Sequence, residues 1–448
     1  MTETSAPTDT VPAEAEPTWL AAPARARIAE IEAGLAGRDA AGLAAEIERL
    51  VAADEALRAR HSINLDPAAN VMNPAAEALM ARGLSGRPSL GHPGTKYEAG
   101  LEEIEQIEVI ASRLARQVFG ARFAEIRLGS GAMANLAAFM AVCRPGDAVI
   151  VPPASVGGHV THHLPGAAGL YGLKVHAAPV NPQTYSVDPE GVAALAARVG
   201  PRLITIGGSL NLGHHPVAEL AAIAREHGAR LMFDAAHLSG PIAGGAWPDP
   251  LSEGADLMTL STYKSLGGPP GGLVLTNDPG LAGRIDAIAF PGLTANPDPG
   301  RIAALARTLL DWVAFGPEAA REMVAAARTL AAELYRHGLP VAFAGDDATR
   351  SHALALQAAR WGGGAAMAAR LRRAGLLACP IGLPDGRDGV AEGLRIGTSE
   401  ISRRGMGVEE MGALAELIAR ALEGDPAAVA PDVGRLAARH DRLRHVLP

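Results

Sequence analysis

From Ala124 to Thr276 the chain alternates short apolar runs with amphipathic stretches, and this alternation restricts the fold more than any other feature. Strands are expected at Ala124–Leu128, Ala148–Val151, Lys174–Pro179, Leu203–Ile206, Arg230–Asp234, Leu257–Leu260 and Leu273–Thr276. Helices at Ala132–Ala141, Pro189–Val199 and Pro216–His227 lie between them. Apolar runs without a polar face suit strands buried on both sides. The expected class is therefore α/β, a large and mostly parallel sheet covered by helices on both faces.

The flanks divide less sharply. Residues 1–17, rich in Thr, Glu, Pro and Ala, have neither the basic nor the apolar stretch of a signal peptide and are expected to be a disordered tail. Residues 18–100 read as N-terminal helices and a loop. Trp19–Val51 carries apolar residues at helical spacing, broken near Gly37 into two helices. A short helix, Pro74–Ala81, precedes the Gly/Pro-rich loop Gly83–Gly100, and loops of that length are usually functional. The large domain spans 101–316, opening with an amphipathic helix at Leu101–Phe119. Gly316 and Pro317 are expected to split Arg301–Phe315 from Glu318–Arg336, where a smaller α+β domain (317–424) begins. That domain has strands near Val341–Ala344, Ala353–Gln357 and Leu394–Ile396, and helices at Ala365–Ala374 and Val408–Leu422. A tail, 425–448, carries a basic helix ending in His445.

A net charge of −8 with no basic block argues against a nucleic-acid partner. No apolar run reaches the length of a membrane span. Cys143 and Cys379 are far apart in apolar surroundings, which suits free thiols in a reducing, cytoplasmic compartment.

Chemistry concentrates at strand ends. In Ala255–Gly272 (ADLMTLSTYKSLGGPPGG), a strand runs into Ser261, Thr262, Tyr263 and Lys264, then into a Gly/Pro turn. A lysine there, flanked by hydroxyls and with its pKa lowered by burial, suits Schiff-base chemistry. On this stretch alone a surface lysine fits as well. Ser130 and Gly131 stand between a strand and a helix, where backbone N–H groups receive anions, although such turns are often Gly/Ser-rich for other reasons. Asp234 ends an apolar strand and needs a partner, such as a protonated pyridine nitrogen; the alternative is a cap for the next turn. His159, His162 and His163 form a histidine-rich turn without the carboxylate or Cys that would complete a metal set, so no metal is expected. His214 and His215 are read as loop residues.

Five motifs in order carry a resemblance: SGAMAN (130–135), GGHVTH (157–162), DAAHLSG (234–240), STYKSLGGPPGG (261–272) and LRIGTSEISRRG (394–405). From Asn64 to Leu422 the chain resembles the serine hydroxymethyltransferase family of fold-type-I, aspartate aminotransferase-like enzymes that use pyridoxal 5'-phosphate (PLP). The resemblance implies Lys264 as the lysine of the internal aldimine and Asp234 as the partner of the pyridine nitrogen. It places His237 near the ring and His159 stacked on it. Ser130 and Gly131 match phosphate-binding positions, with Ala132 replacing the family's second serine. Ser261 and Tyr263 flank the cofactor, and Ser209 lies near its phenolic oxygen. Gly292, in FPGLT, falls where a partner subunit contributes, so a homodimer or dimer of dimers is implied. Arg395 matches the clamp on the substrate carboxylate, and the loop residues His92, Tyr97 and Glu98 are substrate-side candidates.

The departures fall on the substrate and folate side. Leu90 stands where the family has a glutamate that serves folate chemistry, Pro88 and Glu98 replace tyrosines, and Tyr97 is kept. Tyr263 replaces a histidine and Pro270 an arginine. Ala68, Ala69 and Asn70 replace a Ser-Glu-Asn motif, and CPIGLPDGRDG (379–389) replaces the folate segment. The resemblance thus implies a PLP-dependent transferase or lyase acting on a small amino acid and an aldehyde. It would cleave or form the Cα–Cβ bond of a β-hydroxy amino acid through a glycine quinonoid, without tetrahydrofolate, as an L-threonine transaldolase or aldolase. The alternatives are a folate-dependent hydroxymethyltransferase with Glu98 in the lost role, a decarboxylase or aminotransferase-like enzyme, and an inactive PLP-binding protein. Joint retention of Lys264, Asp234, His159 and Arg395 argues against the last.

Overall fold

Seven strands build the sheet that the alternating pattern requires: β1 (Phe123–Glu125), β2 (Ala148–Val151), β3 (Lys174–Ala177), β4 (Leu203–Gly207), β5 (Arg230–Asp234), β6 (Leu257–Ser261) and β7 (Gly272–Thr276). Their order is β1-β7-β6-β5-β4-β2-β3. The run from β6 to β3 is parallel, and β7 is antiparallel to both of its neighbours. Successive side chains enter different cores. Ile204, Ile206, Leu231, Phe233, Met258 and Leu260 pack on one face, while Leu203, Met232 and Leu257 pack on the other. This period of two is what a doubly covered sheet demands.

The computed structural model describes residues 17–343, 348–385 and 389–448, so most of the expected N-terminal tail lies outside the described residues. The chain divides into two compact units, Met1–Arg58 and Ala59–Pro448. In the first, helices Ala22–Leu35 and Ala40–Ala56 form as the spacing predicts, the second capped by Asp39, which accepts from Gly42 N–H at 2.8 Å. The second holds the sheet and everything described below. Among the described residues, no helix is long and apolar enough to cross a membrane.

Several expectations need correction. Arg301–Phe315 and Glu318–Arg336 are one helix, Pro299–Arg336. Pro317 removes one backbone donor, but Gly316 backs closely onto Gly244, where a Cβ would sit 2.1 Å from the Gly316 carbonyl oxygen. Its two ends are buried in two different cores, Leu305 and Leu309 in one, Leu330 and Leu334 in the other. Packing on both sides outweighs the break at proline. The first strand ends at Glu125 rather than Leu128, because the Glu125 carboxylate takes the Arg127 N–H at 2.7 Å. Val341 makes a single bridge to Leu356 rather than a strand, and Ala344 lies outside the described residues. The final helix, Pro426–Ala437, stops well before His445.

The smaller sheet is antiparallel, in the order β8 (Ala353–Gln357), β10 (Gly389–Gly397), β9 (Cys379–Asp385). Helices Gly364–Arg373, Met411–Glu423 and Pro426–Ala437 complete its core.

Candidate active site

The carboxyl ends of the parallel strands are where such sheets bind ligands, and here β4, β5 and β6 end in Gly207, Asp234 and Ser261. Gly207 has φ 86°, and a Cβ there would meet the Asp234 carbonyl oxygen at 2.3 Å, so only glycine lets the strand ends come this close. After β6 the chain turns sharply. Gly267 N–H returns to Lys264 O at 2.9 Å and the Thr262 hydroxyl donates to Pro269 O at 2.5 Å. This turn fixes Lys264 over the strand ends.

Ten of the residues singled out from sequence line one cavity of about 130 Å³: Ser130, Gly131, Ala132, His159, Ser209, Asp234, His237, Ser261, Tyr263 and Lys264. Ser130 caps helix Gly131–Val142, its hydroxyl oxygen accepting from Met133 N–H at 3.1 Å. Gly131 forms a cradle, since a Cβ there would lie 2.3 Å from Ser261 Oγ. Arg395 reaches the same group, donating from Nη1 to Ser209 O at 2.6 Å and lying 3.3 Å from His237 Nε2.

Lys264 is buried, with Nζ 2.9 Å from His237 Nε2. Burial, helped by the Arg395 charge and opposed by Asp234, pushes the ammonium down to about 8. Burial and the neighbouring Lys264 and Arg395 charges hold His237 well below the usual histidine range. With Nε2 facing two donors, the proton belongs on Nδ1, which is buried and has no partner among the described residues. That atom needs an acceptor from a bound molecule.

Asp234 is 2% exposed. Its Oδ1 accepts from Ala236 N–H at 3.0 Å, and Oδ2 lies 2.9 Å from His162 Nε2 and 3.0 Å from Asn135 Nδ2. Burial alone would raise this carboxyl; the His162 contact, the Ala236 N–H and the Lys264 charge outweigh it and hold the group far below the usual carboxylate range. The strand end is a fixed negative charge. His159 Nδ1 accepts from Thr161 N–H at 3.3 Å, and burial pushes the ring down to about 4. It is neutral near pH 7.

His162, Asn135, Thr161, Thr205 and Thr259 were not singled out as site residues, yet they hold Asp234. Thr259 donates to Asn135 Oδ1 at 2.7 Å, Asn135 Nδ2 reaches Thr161 Oγ1 at 2.9 Å, and Thr205 Oγ1 is 2.9 Å from His162 Nδ1. Their signal was present, since Asn135 closes SGAMAN and His162 closes GGHVTH. His215, read as a loop residue, is buried between Ser186 and Asn211.

Four expected residues lie apart from this cavity within the chain. His92 pairs with Asp286 at 3.0 Å, Glu98 accepts from Leu90 N–H at 3.0 Å, Tyr97 is 87% exposed, and Gly292 sits in the turn Ile288–Leu293. The loop bearing His92, Tyr97 and Glu98 is anchored by a buried pair, Lys96 Nζ to Glu108 Oε2 at 2.7 Å.

The sequence model of the family described as serine hydroxymethyltransferase matches residues 43–418. An alpha-methylserine aldolase of Variovorax paradoxus is 56% identical over 430 residues, covering 96% of this chain and 98% of the relative. An alpha-methylserine aldolase of Ralstonia sp is 52% identical over 84% of this chain and 86% of the relative. A serine hydroxymethyltransferase of Methanopyrus kandleri is 37% identical, covering 84% of this chain and 89% of the relative.

Proposed function

The chain belongs to the serine hydroxymethyltransferase family and is a PLP-dependent enzyme; on that premise we propose that it is a folate-independent aldolase converting α-methylserine to alanine and formaldehyde. The atoms balance without an oxidant or reductant. The Cα–Cβ bond breaks, the hydroxyl proton leaves as Cβ becomes formaldehyde, and Cα takes up a proton. Because Cα carries a methyl group, the amino-acid product is alanine rather than the glycine expected from sequence. Two relatives that are more than half identical carry the aldolase name.

The observation that carries folate independence is Leu90. A leucine neither gives nor takes a proton. The nearby carboxylates are engaged, Glu98 by the Leu90 N–H and Glu108 by Lys96 and Ser89.

The site fits PLP on three grounds: a buried lysine with a lowered pKa, a buried anion at the strand end, and the unpartnered His237 Nδ1. When bound, PLP supplies the electron sink for charge developing at Cα. Lys264 is the amine that would carry it. Asp234 holds the proton on the ring nitrogen, a task that requires it to stay ionised, and His162 and Asn135 keep it in place. His237 Nδ1–H donates to an oxygen of the bound molecule. Ser130, Ser261 and the N–H groups of Gly131 and Ala132 hold the phosphate. His159, neutral near pH 7 with Nδ1 accepting from Thr161, carries its proton on Nε2, covers the ring and donates to the substrate oxygen. Arg395 takes the substrate carboxylate, a pairing its fork geometry favours. Tyr263 stands at the mouth.

The loops bearing His92, Tyr97, Glu98 and Gly292 complete the site of a second subunit in a homodimer or dimer of dimers, which explains why they lie away from their own cavity. Two free cysteines support a cytoplasmic location.

The test is a substrate panel without folate. α-Methylserine is expected to yield equal amounts of alanine and formaldehyde. Adding a second aldehyde distinguishes simple cleavage from transaldolase exchange. Failure to release formaldehyde from α-methylserine, with serine converted only when tetrahydrofolate is present, would overturn the reading.

A further inference from the structure

Behind Arg395 stand two groups with no assigned part in the reaction, Cys379 and Asp66. Cys379 and Arg395 stand directly opposite each other in the β9–β10 ladder, so their side chains share a face and meet. Arg395 Nε donates to Cys379 Sγ at 2.9 Å, and the Cys379 S–H donates to Asp66 Oδ1 at 3.0 Å. Nη1 is committed to Ser209 O at 2.6 Å. Nη2 has no hydrogen-bond partner among the described residues and lies 3.9 Å from Asp66 Oδ1, beyond hydrogen-bond range. The guanidinium is held at one edge and open at the other.

We propose that Cys379 is a positioning residue for substrate capture, orienting the Arg395 fork and keeping Asp66 off it. This rests on the reading of Arg395 as the carboxylate ligand. An aspartate and an arginine this close would normally join in a two-point pair, which would fill the place the substrate carboxylate needs. The thiol prevents this by standing between them, accepting from Nε and donating to Asp66. Burial pushes the thiol up to about 11, so its proton is present throughout the working range. Asp66 is itself tied back, since its Oδ1 also accepts from Ala68 N–H at 2.9 Å. Alanine at 379 can neither accept nor donate, and Asp66 then competes with the substrate. Serine does both, over a slightly shorter reach.

The experiment compares Cys379→Ala, Cys379→Ser, Cys379→Ala/Asp66→Asn and Arg395→Lys as PLP-loaded enzymes. Two molecules are used: α-methylserine, and 2-amino-2-methylpropane-1,3-diol, in which an uncharged hydroxymethyl group replaces the carboxylate. Cys379→Ala is expected to raise KM for α-methylserine about tenfold, the worth of one charge-assisted contact, with kcat within about twofold. Affinity for the diol, read from the cofactor absorbance, stays unchanged. Cys379→Ser remains close to wild type, and adding Asp66→Asn to Cys379→Ala recovers most of the lost affinity. If Cys379→Ala does not fold, Cys379→Val, which fills the space but neither accepts nor donates a hydrogen bond, takes its place. An unchanged KM, an equal loss for the diol, or no recovery with Asp66→Asn overturns the proposal. Arg395→Lys separates the two levels. If it raises KM while Cys379→Ala does not, only the role of Cys379 falls; if it leaves KM unchanged, the carboxylate reading falls with it.

Discussion

Replacing Asp234 by asparagine removes one charge and almost no volume, and the surroundings set the size of the effect. The carboxylate accepts from Ala236 N–H on one oxygen and faces His162 and Asn135 on the other, at 2.9–3.0 Å. An amide has one acceptor and one donor group, so either orientation sets a donor against a donor. Each such mismatch in a buried site costs about 1–3 kcal/mol. The larger effect falls on the ring nitrogen, whose proton loses its buried counter-charge; removing one partner of a buried ion pair costs about 3–5 kcal/mol. At 1.36 kcal/mol per decade this is roughly 10²–10⁴ in rate. The assay is kcat for α-methylserine cleavage at saturating PLP, with loading confirmed by absorbance. Asp234→Glu, which keeps the charge, should lose less. Fully loaded Asp234→Asn that keeps more than about a third of wild-type kcat would refute the assigned role.

Three further outcomes follow from other parts of the molecule. Because the neutral amine is the form that captures an aldehyde and burial places Lys264 at about 8, PLP uptake by the apoprotein should rise about tenfold per pH unit below 8 and level off above it; a rise continuing past pH 10 would contradict this. Lys96→Met should lower stability by about 3–5 kcal/mol in urea unfolding, because it strands the Glu108 carboxylate, whose side chain is 9% exposed, and Lys96→Met/Glu108→Leu should recover much of the loss; a change below about 1 kcal/mol would mean that the pair does not anchor the loop. Sedimentation should show a dimer or tetramer, and a fully active monomer would remove the role given to the loops bearing Tyr97 and Gly292.

The apolar runs without a polar face, alternating with helices, made the large sheet legible, because residues such as Leu231, Met232 and Phe233 enter two different cores and neither face can be polar. Where expectation failed, a tertiary contact had overruled a local rule. Pro317 ends a helix only if nothing holds the two halves together, and two cores do. The cavity lining was legible because Ser130, Asp234 and Lys264 sit at strand or helix ends inside motifs. The groups that hold Asp234 were not, because Asn135 and His162 are 99 and 72 positions away and only the fold brings them together. Cys379 was legible as a free thiol, but its pairing with Arg395 depends on the register of β9 against β10.

The most direct test of the account is the rate of formaldehyde release from α-methylserine by PLP-loaded enzyme, with and without tetrahydrofolate. With Leu90 in place of an acid, the predicted rates agree within about twofold and alanine appears in step with formaldehyde in both. Cleavage that needs tetrahydrofolate, with a gain of about tenfold or more on adding it, would contradict the account and make this chain a folate enzyme that works without the family's glutamate.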